Sequence, residues 1–222
     1  MEHRRSARAT DAQSQGQTRW SKIGGVSGEE YAERFAALAA SGKDMHGEAS
    51  YCAALCSPGS RVLDAGCGTG RVATRLEELG FVCVGTDVDE SMLAVARRHA
   101  PQVPWHSADL AQITSADLGG ASGFDLVVMA GNVVPLLAEG TVASAVRSLA
   151  TLMAPGGLLV AGFGLDPAHL PPRCPVTSLE EYDDACAAAG MALLRRHSTW
   201  DGADFDPAAG YAVSVHVLDG AS

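Results

Sequence analysis

Val62-Leu63-Asp64-Ala65-Gly66-Cys67-Gly68-Thr69-Gly70 is the stretch on which the reading of this chain turns. A strand end, Val62-Leu63 followed by Asp64 and Ala65, runs into three glycines at alternate positions. Turn residues without Cβ atoms let the backbone approach a ligand closely and adopt positive φ. Residues 71–79 then carry a helical pattern that ends at Gly80, so the unit places the amino end of a helix beside the loop. A second apolar run ends at Asp87. That is about one strand-helix-strand unit later, where a carboxylate can accept hydrogen bonds from both hydroxyls of a ribose.

Glycine-rich turns of this kind also occur in dinucleotide-binding sheets, and two residues separate the readings. The dinucleotide fingerprint has its third glycine where this chain has Arg71. It also starts from an apolar strand end, whereas Asp64 stands two residues before the first glycine here. At short range a carboxylate repels a pyrophosphate. It suits a ligand that carries an ammonium and a sulfonium.

On these residues the segment 61–165 resembles the class I S-adenosylmethionine-dependent methyltransferases of the small-molecule type. The resemblance implies a three-layer, Rossmann-like α/β fold: a seven-stranded mixed sheet, an antiparallel C-terminal hairpin and an N-terminal helical lid. It implies S-adenosylmethionine as cofactor and methyl transfer to an unidentified small molecule. Asp64, Gly66, Cys67 and Gly68 would surround the methionine part, Asp64 lying near its ammonium and Cys67 acting through its backbone amide. Asp87 would hold the ribose, with Val88 and Met92 as apolar walls for the adenine. Asp109 and Leu110 match the position that contacts the adenine ring, and Ala130 the strand end that offers backbone carbonyls. For Asp87 the competing role is a helix cap, which Asp89 fills better; for Asp109 it is a local turn. Enzymes that methylate nucleobase or glutamine amide nitrogens carry a Pro-Pro-aromatic tetrapeptide at that last strand end. Asn132-Val133-Val134-Pro135 stands here instead, which disfavours such acceptors. A protein that retains the cofactor site without turnover is the alternative, because a fold does not fix a function.

The remainder of the chain fits this frame. Its 222 residues suffice for one domain with one sizeable core. We expect a polar, disordered tail over 1–18 and a single domain over 19–222, with a lid at 27–57 and the core at 61–222. Ser27 and Glu30 form a capping box ahead of Tyr31, Phe35 and Leu38, and a second helix is expected over about 43–55. Short apolar runs at 62–63, 81–84, 124–129 and 158–163 have the near-continuous character of parallel strands covered on both faces. A weaker strand is expected over 103–110. Asp89 caps one helix, Thr141 opens another reaching Met153, and Pro155-Gly156-Gly157 turns into the next strand. Ser178 and Glu181 form a further capping box, for a helix reaching about Ala189. Segments 191–200 and 211–218 have no helix between them and read as an antiparallel hairpin.

A formal net charge of −10 argues against nucleic acid as a partner, since phosphate-backbone binding rests on clustered lysine and arginine. No apolar run reaches the length of a membrane span and no signal peptide is evident, so a cytoplasmic protein is expected. The six cysteines lack CxxC pairing and read as reduced thiols, and no metal site is expected. Cys52 and Cys56, four apart on a helix, are either two small buried residues or half of a ligand set. A dedicated base is optional; for an acceptor that must lose a proton, His46 and His169 are the candidate bases, the alternative for each being a structural or solvated histidine. Acceptor specificity is expected in the two N-terminal helices and in the loop 165–172; Tyr31, Arg34 and Phe35 either line the lid or, as their helical spacing equally requires, pack the helix. Trp200 and the acidic stretch after it either shape the acceptor pocket or form a charged surface turn.

Overall fold

The computed structural model describes residues 18–23, 26–42 and 44–220. The tail expected at 1–18 thus lies outside the described residues apart from Thr18, and so does Lys43, where the second helix was expected to begin. Phe124–Met129 shows why the sheet forms as it does. Along this strand Val127 and Met129 join one apolar cluster while Leu126 and Val128 join another, and all four are fully buried. A strand covered on both faces has no use for the polar-apolar alternation of a half-exposed one, hence the continuous apolar run from Leu126 to Met129 after the half-buried Asp125.

Seven strands, β1 (Arg61–Ala65), β2 (Val82–Asp87), β3 (Trp105–Ser107), β4 (Phe124–Met129), β5 (Met153–Gly164), β6 (Met191–His197) and β7 (Tyr211–Leu218), build one sheet. Their order is β3-β2-β1-β4-β5-β7-β6. The first five run parallel, and β7 lies antiparallel between β5 and β6, as the hairpin reading requires. Helices α1 (Arg19–Lys22), α2 (Gly28–Ala40), α3 (Gly47–Ala53), α4 (Arg71–Glu78), α5 (Glu90–His99), α6 (Val133–Leu136), α7 (Val142–Ala150) and α8 (Leu179–Ala188) flank it. Residues of α3, α4 and α5 fill one face and those of α7 and α8 the other, giving three layers. Full burial of a Val or Leu side chain is worth about 1.5–3 kcal/mol, so the two clusters supply most of the favourable free energy.

Several boundaries depart from the sequence reading. Thr18, placed in the tail, caps α1 through its hydroxyl, and α1 itself was not foreseen. β2 starts one residue late and continues to Asp87, because β1 and β3 extend its ladder to that point. α7 stops at Ala150, since Met153 already pairs with Phe124; Pro155-Gly156-Gly157 is a bulge inside β5, with Leu158 opposite Leu126. The box at Ser27 is complete, but only Ser178 of the second box bonds, accepting from the Glu181 N–H.

Parallel strands bring their carboxyl ends to one edge, and β1 pairs with both β2 and β4. Strand order therefore reverses between β1 and β4. The crevice at such a reversal is where open sheets bind ligands.

Candidate active site

At that reversal lies a cleft of about 930 Å³, counted out to its open mouth. Ten residues were expected around the cofactor: Asp64, Gly66, Cys67, Gly68, Asp87, Val88, Met92, Asp109, Leu110 and Ala130. All ten line this cleft.

The loop is held by carboxylates from the two neighbouring strand ends. Asp64, 2% exposed, accepts a 3.0 Å hydrogen bond from the Ala73 N–H in the first turn of α4. Asp87 accepts from the Gly68 N–H at 2.8 Å with Oδ2 and from the Asp89 N–H at 2.9 Å with Oδ1. Gly66 and Cys67 both donate to the Thr86 carbonyl, and Gly70 donates to that of Cys67. The Cys67 amide, expected to serve the ligand, is therefore occupied by β2. With the amides of Cys67, Gly68, Gly70 and Ala73 used internally, the loop keeps few of the free N–H groups that a pyrophosphate nest needs.

The glycines serve as clearance. Gly66 has φ 79°, and a Cβ there would lie 2.5 Å from Cγ2 of Val133. Gly68 has φ 53° and would project a Cβ into open space within the cleft. The charges are three carboxylates, Asp64, Asp87 and Asp109, against one guanidinium, Arg71. Burial pushes the Asp64 carboxyl up to about 7, with the Ala73 N–H and Arg71 pulling it back. Burial also raises Asp87, against its backbone hydrogen bonds. Two carboxylates that would be easier to ionise beside a cation suit an ammonium and a sulfonium, and the loop offers room for an adenosyl group. The residues fit S-adenosylmethionine.

Asp109 does both things considered for it: it lines the cleft, and its Oδ1 accepts from the Ala111 N–H at 2.9 Å. Asp89 is the helix cap, accepting from the N–H groups of Ser91 and Met92, which leaves Asp87 to the cleft.

A second cleft of about 1340 Å³ adjoins the first and shares Trp20, Tyr31, Gly131 and Leu136 with it. Its walls include Tyr31, Arg34 and Phe35 from α2 and Ala168 to Pro172 from the loop after β5. The two segments expected to carry specificity thus face each other. His169 lies in this wall, 44% exposed, with Nδ1 2.9 Å from Oδ1 of Asp166. The imidazole holds the Asp166 carboxyl below its usual range. Gly210 makes room for the pair: a Cβ there would stand 2.2 Å from Oδ2 of Asp166 and 2.5 Å from Nδ1 of His169. Asn132 ties the loop to β4, donating to the His169 carbonyl and accepting from the Gly164 N–H.

His46 lies elsewhere. It stands at the amino end of α3, exposed, and lines neither cleft. Trp200 lines neither cleft as well; its Nε1 donates to the Tyr211 hydroxyl at 3.2 Å and its ring packs edge-on to Tyr51. Cys52 is a fully buried core residue, and among the described residues no group of three or more His, Cys, Asp or Glu is arranged to hold a metal. No helix among the described residues is long and apolar enough to cross a membrane.

Three features had gone unread. Trp20 lines both clefts and donates to Oδ2 of Asp89 at 2.9 Å. Asp166 was readable as a cap, since Asp-Pro opens a short 3₁₀ turn whose third residue is His169. Arg71 makes a two-pronged pair with Glu48 at 2.6 and 2.9 Å, bonds the Met45 carbonyl and lies over the Phe35 ring. It thereby fastens both N-terminal helices to the glycine loop, a long-range role that no local pattern announces.

Comparison with known proteins agrees with this geometry. Residues 62–157 match the model of a methyltransferase domain. A putative methyltransferase of Geobacillus is 36% identical over 101 residues, covering 45% of this chain and 40% of its own length. A ubiquinone biosynthesis O-methyltransferase of Methylocella silvestris is 39% identical over 104 residues, covering 46% and 39%. The chain thus spans about 40% of the length of these sequence relatives. Whole-chain similarity comes from a solved structure, a TehB-like S-adenosylmethionine-dependent methyltransferase of Corynebacterium glutamicum. It is 30% identical with a TM-score of 0.75, over 86% of this chain and 97% of that one. With the cleft, the carboxylates and the strand order all in agreement, the chain belongs to the class I S-adenosylmethionine-dependent methyltransferases.

Proposed function

We propose that this protein transfers the methyl group of S-adenosylmethionine to a proton-bearing atom of a small molecule seated in the second cleft. The observation that carries this is the junction of the two clefts at Trp20, Tyr31, Gly131 and Leu136. A cofactor compartment opening directly onto an acceptor compartment permits alignment, which is the main thing this reaction asks of a protein.

In this reading Asp64 holds the ammonium end of the cofactor, Asp87 the ribose, and Val88, Met92 and Leu110 the adenine, with Asp109 at its rim. When bound, S-adenosylmethionine supplies an electrophilic methyl on a sulfonium, whose loss leaves a neutral thioether. The acceptor must surrender a proton as its lone pair is used. Asp166 fixes the imidazole of His169 through Nδ1–H, which leaves Nε2 to receive that proton and pass it to water. Trp20 and Tyr31 stand at the junction and reduce the access of water. The cytoplasmic assignment and the small-molecule acceptor belong to the same proposal. The first is supported by six free cysteines, five of them buried, the second by a cleft of small-molecule size on a strongly acidic chain.

The test is a screen of small hydroxylated and aminated compounds with S-adenosylhomocysteine release as readout. Cofactor binding with no release from any acceptor would favour the non-catalytic alternative.

A further inference from the structure

On a chain of net charge −10, the second cleft contains no aspartate or glutamate in its lining; its ionisable side chains are Arg34, Arg173, His169 and Tyr31. Neither arginine belongs to an ion pair among the described residues. The rest of the lining is largely apolar, with Phe35, Leu136 and Leu170 among its members.

Arg173 is held there at a conformational cost. Its φ is 65°, one of two positive values at non-glycine positions among the described residues. It occupies the third position of a turn closed by the Cys174 N–H donating to the Pro171 carbonyl at 3.0 Å. With Pro172 before it, this is the position of a type II turn where glycine is the relaxed choice. The turn is anchored to α6 by the Cys174 thiol, 3.5 Å from the Pro135 carbonyl. A strained residue whose backbone would be easier as glycine points to a use for its side chain. Arg34 approaches from the opposite wall, on α2; burial raises the Tyr31 hydroxyl beside it, with the charges of Arg71 and Arg34 pulling it back.

We infer that the acceptor cleft selects an anionic small molecule: a carboxylate between Arg34 and Arg173, carried on an apolar body that lies against Phe35, Leu136 and Leu170. The inference rests on reading this cleft as the acceptor side. Arginine suits the task because its planar fork matches a carboxylate and stays charged at all relevant pH.

The test titrates p-coumarate and decanoate, each against its methyl ester, together with tyramine, by calorimetry. Each titration is run with and without saturating S-adenosylhomocysteine, and on Arg34→Gln, Arg173→Gln and Arg173→Gly. At least one acid should bind about tenfold or more tightly than its ester, with tyramine weakest, the gap being that of one charge-assisted hydrogen bond. Each arginine variant should shrink that gap about tenfold and leave ester binding unchanged. Arg173→Gly is the sharpest variant, because it relaxes the turn. It should melt no lower than the parent while losing the preference, whereas a merely structural arginine would leave the preference in place. Esters binding as well as acids, no acid binding at millimolar concentration, or a preference surviving in both Gln variants would each overturn the inference. The nucleoside titration keeps the two readings apart. Acids preferred while S-adenosylhomocysteine fails to bind would sink the methyltransferase assignment of this chain's cleft and leave the anion site standing.

Discussion

The two clefts differ in sign, in construction and in how far apart their parts lie along the chain. The nucleoside cleft is lined by three carboxylates and one guanidinium, and its lining comes mainly from the carboxyl ends of β1, β2 and β4 and the loop after β3. The acceptor cleft has two guanidiniums and no carboxylate, and it is assembled from α1, α2 and a loop more than a hundred residues away. On the proposed assignment, the first cleft faces a cationic cofactor and the second an anionic acceptor. The contrast teaches that backbone ladders place the first with little freedom, whereas the second depends on packing between distant segments. Loops and terminal helices are where specificity can vary without disturbing the sheet.

The largest expected effect would establish the acceptor side as catalytic. His169→Gln should lower turnover about 100- to 10,000-fold, the usual worth of a general base, with S-adenosylhomocysteine affinity unchanged. Turnover would be followed by thioether release and affinity by calorimetry; undiminished turnover would remove His169 from the chemistry.

Next comes the nucleoside side. Asp87→Ala should weaken adenosyl binding by about 2–3 kcal/mol through loss of charge-assisted hydrogen bonds. Because Asp87 also pins the Gly68 N–H, the informative comparison is methylthioadenosine against its dideoxyribose analogue. The variant should abolish the difference between them, and an unchanged difference would mean that the ribose lies elsewhere.

A pH profile sharpens the electrostatic half of the contrast. Burial raises Asp64 from 3.8 to about 7 in the fold, so between those values the folded protein holds a proton that the unfolded chain has released. Stability of the ligand-free protein should therefore fall as pH rises across that window. A ligand ammonium favours the ionised carboxyl, so affinity for S-adenosylhomocysteine should climb up to about tenfold per unit toward pH 7 and then level. Asp64→Asn should flatten both profiles. A slope retained in that variant would assign the proton to Asp87 or another group.

The smallest effect tests the seam between the clefts. Trp20→Phe removes the 2.9 Å hydrogen bond to Asp89. Burial tends to raise the Asp89 carboxyl, but the hydrogen bonds from Trp20 and Ser91 hold it below its usual range. Because Asp89 is only partly buried, the loss should be only about 1 kcal/mol, read as a small drop in melting temperature.

What was legible in the sequence follows the same division. Asp64, the glycines and Asp87 sit within one strand-helix-strand unit, where turn chemistry and strand ends fix their positions locally. The hairpin of β6 and β7 was equally local. The Ser27 box was readable because a cap is a three-residue event. The internal bulge of β5 was not, because Pro-Gly-Gly signals a turn and only pairing with Phe124 reveals that the strand resumes earlier. Nor were Arg71 with Glu48 or Trp20 with Asp89, pairs joined only by tertiary packing. His46 and His169 looked equivalent in sequence; the cap at Asp166 and the clearance at Gly210 separate them.

The most direct test of the account is calorimetry of the intact chain with S-adenosylmethionine, S-adenosylhomocysteine and NAD. Both adenosyl ligands should bind with one-to-one stoichiometry, and NAD should produce no heat of binding, because carboxylates line the cleft and the amides of Cys67, Gly68, Gly70 and Ala73 are committed internally. Binding of NAD in preference to either adenosyl ligand, or no binding of the adenosyl pair, would contradict the assignment of the nucleoside cleft.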